Sequence, residues 1–400
     1  MTARIPDVST PVLVLNCKLG ALAIMRTLGS QGVYLYGVDA NVHSAGLLSR
    51  YCREKNVMAF DENREQHYLD YVLGLGKKIG TKALLIPTSD ELSVFGAKYY
   101  DQLSRYFMFP RNTPDLVGEI ISKEGMYNLA CKHNVPTPHT LFPKNLGDVL
   151  EYTKKPLYPV MLKGIFGNRL EERTGKKMVL VHSNEELVEM YKLLEDPERA
   201  NLMIQEYIPG GDDQIYIFNG YFDGNSDCLA AFTGHKIRQF PVHVGCASLG
   251  IVKWNQTVSD LTVRFMKEIG YRGILDIGYR LDPRDGQYKV LDINPRVGQA
   301  FRLFVAQNDM DVVKSLYLDL TGQKQPPIVP REGRKWMIED YDIVSSLHYH
   351  WEGSLSAREW MRSFRGLEEG AWFSWKDPQP FFHMTGKMLD KSLTWVRKKL

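Results

Sequence analysis

The sequence predicts an α/β protein, and three stretches carry that prediction. Val12-Leu-Val-Leu-Asn16 is a short apolar run followed by Gly20, a helical pattern from Leu22 to Gln31, and a second run from Val33 to Val38 ending at Asp39. Together these read as a βαβ opening. Ala83-Leu-Leu-Ile-Pro87 is a further buried-strand run that ends in Thr88-Ser89-Asp90-Glu91, and Gly273 to Arg296 reads as two strands joined by a tight turn. A parallel sheet near the N-terminus and an antiparallel ribbon later in the chain are the expected framework.

Four hundred residues with 44% hydrophobic and 24% charged content describe a globular chain long enough for two or three domains. The net charge of +3, from 50 basic and 47 acidic residues, gives no global reason to expect nucleic acid. The five cysteines, Cys17, Cys52, Cys131, Cys228 and Cys246, form no CxxC pair and read as reduced thiols. The first residues, Met1 to Asp7, lack a signal-peptide pattern. No stretch approaches the roughly 20 apolar residues of a membrane span, so a cytoplasmic protein without one is expected. Thr385 to Leu400 carry five lysines and arginines with Trp395 and Leu400. That composition suits an anionic surface or, as expected here, a solvated C-terminal helix.

After the second βα run, Thr88 or Ser89 is placed to cap a helix beginning near Glu91. Ligands of open parallel sheets gather at strand carboxyl ends, which makes Lys18, Asp39 and Ser89 to Glu91 candidates for an acceptor substrate. Helix capping is the other reading of Ser89 and Asp90. Only Gly20 follows the first strand, so no nicotinamide fingerprint is present. A Walker A loop fails as well, because seven residues separate Gly167 from Gly175 and Lys176 is followed by Lys177.

Lys123 heads a helical stretch that runs to His133 and is ended by Val135-Pro-Thr-Pro138. Pro159 to Gly164 is an apolar strand with Lys163 near its end, where a lysine calls for an anion. Gly164 to Gly175 is polar and glycine-punctuated and reads as a loop, with a strand resuming over Lys177 to His182. In Thr233 to Pro241, strand alternation puts Lys236 and Arg238 on one face. Pro326 to Pro330 reads as a linker. Six of the seven tryptophans follow it, namely Trp336, Trp351, Trp360, Trp372, Trp375 and Trp395, so the tail is expected to pack as a small apolar appendage.

Within the ribbon, Asp292 and Asn294 stand at i and i+2 and share a face, opposite Leu291 and Ile293. An odd-numbered loop would centre the turn at residue 284 or 285 and set Asp276 across from Asp292 or Asn294. Carboxylates with Cβ atoms roughly 5 Å apart repel unless a cation lies between them. Hard oxygen ligands without His or Cys favour Mg²⁺ or Mn²⁺, which fills its remaining positions with water and nucleotide phosphate. The other reading is a solvent-exposed acidic hairpin.

Asp276, Asp292, Asn294, Pro295 and Arg296 resemble the last motif of the ATP-grasp superfamily, and the likeness extends over about residues 10 to 325 with motifs in family order. It implies an ATP-grasp fold with a Rossmann-like N-terminal domain over 1–115, an ATP-grasp domain over 116–325 with a mobile lid over about 125–203, and a C-terminal appendage over 326–400. By resemblance, ATP is held by Lys123, Lys163, Glu206, the Tyr207 to Ile208 backbone and, at the ribose, Asp213. Divalent metal is held by Asp276, Asp292 and Asn294. Lys236, Arg238 and Arg296 stabilise the transferring phosphoryl group, and Arg302 is a candidate for a substrate carboxylate or a salt-bridge partner.

The seven-residue step from Glu206 to Asp213 is similar to the D-alanine:D-alanine ligase branch. Pro-Thr-Ser-Asp-Glu, Lys-Ile-Arg-Gln-Phe-Pro and Asp-Ile-Asn-Pro-Arg resemble carboxylate-amine ligases related to carbamoyl-phosphate synthase and D-aspartate ligase. The chemistry implied is ATP-dependent amide formation through an acyl phosphate. Its partners are a small-molecule carboxylate, such as aspartate, and an amine, with a homodimer as the implied assembly. A phosphotransferase and a non-catalytic nucleotide-binding scaffold are the alternatives.

Overall fold

The computed structural model describes residues 4–176 and 178–397, without the side chains of 167, 168 and 391–397. The expected strand start at Lys177 and the side chains of Trp395 and Leu400 lie outside the described residues. Two compact units form. One comprises residues 1–117, 211–278 and 294–400, and the other residues 118–210 and 279–293.

In the first unit, the strands Val12–Leu15, Leu35–Asp39, Cys52–Val57, Ala83–Pro87 and Phe107–Met108 build a parallel sheet. The strand order is the third, second, first, fourth and fifth in chain sequence. Val12 aligns with Leu35 on one side and Leu84 on the other. Alternate residues of the first strand feed separate cores: Val12 and Val14 pack with Leu22, Met25 and Leu28 of the helix Leu19–Gly29, while Leu13 and Leu15 pack with Tyr68, Val72 and Phe95. Both faces of the sheet are covered, which explains why its strands read as continuous apolar runs.

The same unit holds the antiparallel strands Ile215–Phe222, Cys228–Phe240 and Cys246–Val252, which belong to a seven-stranded sheet. Gly273–Leu281 pairs beside Ile215–Phe222, and Lys335–Met337 with Leu367–Gly370 extend the other side. The segment after residue 325 therefore supplies strands to a sheet, and Trp336 is fully buried in the core. Arg26, on the first helix, holds this segment by an ion pair to the buried Asp377 at 3.0 Å and by hydrogen bonds to the Ala371 and Trp372 carbonyls.

The second unit is built on an antiparallel sheet in the order Thr140–Leu141, Leu202–Glu206, Val160–Gly164, Met178–Val181. Val160, Leu162, Leu202 and Ile204 face a core with Leu187, Tyr191 and Leu194 of the helix Asn184–Leu194. The polar stretch expected as a loop is instead the helix Gly167–Thr174, ended by Gly175 in the left-handed conformation at φ +70°. Glycines that read as loop punctuation bracket a helix, with Gly175 at its C-terminal turn and Leu170 buried beneath it. Among the described residues no helix is long and apolar enough to cross a membrane.

Candidate functional site

The sheet of the second unit has one face committed to its core, so the other face is what the strands present. Register pairs Lys163 with Met203, Met161 with Gln205, and Thr140 with Gln205. Because cross-strand partners share a face, Lys163, Met203, Gln205 and Thr140 stand together. They line a pocket of about 100 Å³ with Lys123, Tyr127, Phe142 and Leu291. Gln205 links two of these side chains: its Oε1 accepts from Lys163 Nζ at 3.0 Å and its Nε2 donates to Thr140 Oγ1 at 3.1 Å.

Lys123 is the first residue of its helix, after Ser122, whose hydroxyl accepts from the Gly125 N–H at 3.3 Å. Its ammonium is ion-paired with Asp292. Burial, then the neighbouring positive charge of Lys123, push the Lys163 amine down to about 8, and Asp292 opposes the shift. The pocket thus brings together two residues expected to hold nucleotide, Lys123 and Lys163, and Lys123 is ion-paired with Asp292, one of the expected metal ligands. Gln205, Thr140, Met203 and Phe142 were not singled out by sequence reading. The signal available for Met203 and Gln205 was strand alternation, which sets them two residues apart on the face opposite Ile204.

Glu206 follows Gln205 and belongs to an ion cluster. Arg284 bridges Glu206 and the buried Asp282, Lys289 lies 2.6 Å from Asp282 and 3.6 Å from Glu206, and the His139 N–H donates to Glu206 Oε2 at 3.1 Å. The hydrogen bond from Arg284, reinforced by Lys289, holds the Asp282 carboxyl well below the usual carboxylate range despite burial. The Tyr207 N–H donates to the Pro159 carbonyl at 3.2 Å. Of the backbone groups expected to meet adenine, the Tyr207 amide is therefore engaged within the sheet. Ile208 is buried.

The ribbon turn differs from expectation. Asp282 N–H donates to Gln287 O at 2.8 Å and Gly286 N–H to Asp282 O at 2.8 Å. The connection between Leu281 and Tyr288 has an even number of residues, so the odd-numbered loop that would set Asp276 across from Asp292 or Asn294 is not formed. The cause is Asp282: tied to Arg284 and Lys289, it closes the turn rather than ending a strand.

In the first unit, Asn294 Nδ2 donates to the Asp276 carbonyl at 3.4 Å, and Arg296 donates to Asp90 at 2.7 Å and to Asn294 Oδ1 at 3.1 Å. Asp90 begins the helix Asp90–Lys98, and Ser89 is its N-cap, accepting from the Leu92 N–H at 3.4 Å. The capping reading of Ser89 is the one seen. Asp39 likewise turns inward, accepting from the Asn41 N–H and the Ser44 hydroxyl.

Gly298 lies against Asp276: a Cβ built there would stand 1.9 Å from Asp276 Oδ2. Gly298→Ala must displace that carboxylate. With Asp276 as the expected metal donor, a displacement near 1 Å costs about 100-fold in rate, so kcat is expected to fall by that order with the melting midpoint nearly unchanged. Wild-type turnover in this variant would remove Asp276 from the chemistry.

Lys236 and Arg238 do not share a face. A register irregularity between them pairs Lys236 with Gly250 and Arg238 with Leu249, and a second follows at Gln239. An extra residue in one strand breaks the two-residue alternation. Lys236 donates to the Gly245 carbonyl at 2.7 Å and to Gln239 Oε1 at 3.2 Å. Arg238 is buried and engages both oxygens of Asp342 at 2.8 Å and the Ser363 hydroxyl. Arg302 is paired with Asp311 and Glu369, so its salt-bridge reading is the one the structure displays. The Asp213 carbonyl meets His235 Nδ1 at 3.2 Å.

The expected metal donors, Asp276, Asp292 and Asn294, are hard oxygen ligands, and the Gly298 cradle leaves room for the Asp276 carboxylate. Their chemistry fits Mg²⁺ or Mn²⁺. Among the described residues no group of three or more His, Cys, Asp or Glu is gathered for a metal, and this trio includes an asparagine.

A parallel-sheet domain, a small antiparallel lysine-bearing sheet and a ribbon ending in Asp-Ile-Asn-Pro-Arg are arranged as in proteins of the ATP-grasp fold, and the chain has that fold. The biotin carboxylase domain of Hydrogenobacter thermophilus 2-oxoglutarate carboxylase, solved with MgADP, ADP and bicarbonate, shares it with a TM-score of 0.61 at 16% identity, over 82% of this chain and 74% of that one. In sequence the chain is similar to D-aspartate ligase of Enterococcus faecium, 24% identical over 307 residues that span 72% of each chain. It is also similar to the arginine-specific carbamoyl phosphate synthase large chain of Geobacillus stearothermophilus, 22% identical over 58% of this chain but only 22% of that one. No protein-family model matches the chain.

Proposed function

We propose that the protein is an ATP-dependent carboxylate-amine ligase that forms an amide through an acyl phosphate and releases ADP and phosphate. One observation carries the reading. In the pocket of the second unit, Lys123 and Lys163 supply cations beside Met203, Phe142 and Tyr127, and an apolar slot with two ammonium groups suits a base and its phosphates. Similarity to D-aspartate ligase over most of both chains supports it and favours an amino acid such as aspartate as one substrate.

In this reading Lys123 and Lys163 neutralise phosphate charge. A substrate carboxylate oxygen bonds to the γ-phosphorus as the bond to ADP breaks. The amine nitrogen then bonds to the acyl carbon as phosphate leaves, and the amine proton passes to solvent. Positioning and charge neutralisation supply the rate, so no nucleophilic side chain is needed. Glu206 and the adjacent backbone serve the adenine and Asp213 the ribose. Asp276, Asp292 and Asn294 would hold Mg²⁺, which when bound offsets charge on the transferring group. Lys236 and Arg296 are the remaining cations for the reacting groups. Arg238, matched by Asp342, is assigned to holding the helix Glu339–Trp351 against its strand.

Hydroxylamine trapping tests the proposal. With ATP and amino acids supplied singly, a ligase yields a hydroxamate of its acid substrate, aspartate being the first expected. ADP release without hydroxamate would point instead to a phosphotransferase. Binding of Mg-ATP without phosphate release from any acid and amine pair would point to a scaffold.

A further inference from the structure

The first unit holds a cavity of its own, of about 70 Å³, with a mostly apolar wall. Leu85 and Ile86 of the strand Ala83–Pro87 contribute to it, with Phe109, Ile274 and Leu316. All five are buried, so the cavity reaches into the core. One water takes roughly 10–15 Å³ of such space, which leaves room for about five waters or for a branched body of about four carbons.

Gly96 lies inside the helix Asp90–Lys98 and lines this cavity. A Cβ added there would meet only Phe109, at 3.7 Å. Packing therefore does not require a glycine, and a helix interior disfavours one. What Gly96 provides is space.

Five polar side chains reach the wall, and four of them are engaged. The Ser93 hydroxyl lies 3.0 Å from the Ser89 carbonyl and 3.2 Å from the Pro295 carbonyl. Asn112 donates to the Arg272 carbonyl at 2.7 Å and accepts from the Arg272 N–H at 3.0 Å, and the Tyr271 hydroxyl donates to the Ile274 carbonyl at 2.6 Å. Arg296 is held by Asp90 and Asn294. Arg272 differs from these. Its Nη1 donates to the Arg111 carbonyl at 3.2 Å, but its Nε–H is buried with no hydrogen-bond partner among the described residues. A buried donor left unpaired is costly and calls for an acceptor.

We propose that this cavity binds a small branched aliphatic carboxylic acid, with its carboxylate on the Nε edge of Arg272 and its hydrocarbon body against the apolar wall. A guanidinium edge grips a carboxylate through two parallel N–H···O bonds, and the hydrocarbon leaves water for a preformed slot. The described lining includes no Asp or Glu to meet an ammonium, so a simple acid fits where an amino acid does not. The ligand therefore differs in chemistry from both ATP and aspartate, and the site is additional to those of the proposed reaction.

Calorimetric titration of the full chain with isovalerate tests the proposal. ATP is absent, so the outcome does not depend on the ligase reading. Saturable binding is expected, with a Kd at least ~tenfold below that of acetate, which lacks three carbons of apolar contact. Isovaleramide, which has the same body without the charge, should bind at least ~tenfold more weakly, and so should L-valine, which adds an ammonium to isovalerate. Arg272→Gln should raise the isovalerate Kd at least ~tenfold with the melting midpoint unchanged. Gly96→Leu, which fills the slot, should abolish binding, and Gly96→Ala, whose methyl fits, serves as the folded companion with weakened affinity. Absence of saturable isovalerate binding overturns the proposal, as does equal affinity in wild type and Arg272→Gln. L-Valine or isovaleramide binding as tightly as isovalerate would overturn the assignment to a simple carboxylic acid.

Discussion

Asp292→Asn is expected to eliminate amide formation while leaving the protein folded. The change keeps side-chain volume and removes one negative charge, so no cavity opens and no buried contact is lost. Asp292 pairs with Lys123 and is a neighbour of Lys163, acting on both lysines of the pocket. Under the proposed metal assignment, loss of one carboxylate removes several kcal/mol of charge stabilisation, and at 1.36 kcal/mol per decade kcat should fall at least ~100-fold. ADP release under saturating ATP measures it, with the melting midpoint as control. Turnover within a factor of a few of wild type would discard the metal and phosphate assignments together. Removing the Asp292 charge also lets Lys123 push the Lys163 amine further down, so residual nucleotide binding should show an earlier loss on the alkaline side.

Lys163→Met is expected to weaken ATP binding about 10- to 100-fold, the worth of a charge-assisted hydrogen bond to phosphate. The wild-type pH dependence has a definite sign. Burial brings the free-protein amine to about 8. Below that pH the ammonium is already formed and ATP binding takes up no proton through it. Above it the amine is neutral, the incoming phosphates restore the proton, and affinity falls as pH rises. Calorimetry near pH 9 in buffers of different ionisation enthalpy should detect proton uptake that Lys163→Met abolishes.

Folding stability runs the other way. A lysine with a depressed native pKa penalises the folded state most fully below about 8 and progressively less toward its unfolded value, so the Met variant should melt higher at neutral pH. Unaltered ATP affinity in Lys163→Met would remove this lysine from the nucleotide site.

Regular repeats were legible in the chain, and local irregularities were not. Ala83–Pro87 has the bounds its apolar run predicted, and the helix Lys123–Lys132 begins at the expected lysine. Gly167 and Gly175 misled, because a glycine closing a helix and a glycine in a loop look alike without knowledge that Leu170 is buried. Lys236 and Arg238 misled because a bulge leaves no mark in the strand's composition. Gln205 and Met203 were readable by alternation. Thr137, Thr140 and Phe142, which join them around the pocket, come from a separate stretch whose pairing with Leu202–Glu206 is a long-range choice of register.

By itself the sequence determined the classes of element, the apolar runs that a doubly covered sheet requires, and the order of acidic and basic residues along the chain. Those properties follow from periodicity and side-chain chemistry, which are local. Only the tertiary structure decided which cation meets which anion. Arg238 and Arg302 are matched by Asp342, Asp311 and Glu369, whereas burial beside Lys123 lowers the Lys163 amine to about 8. Coulomb energy and desolvation depend on distance and burial between residues far apart in the chain, and neither is written in sequence spacing.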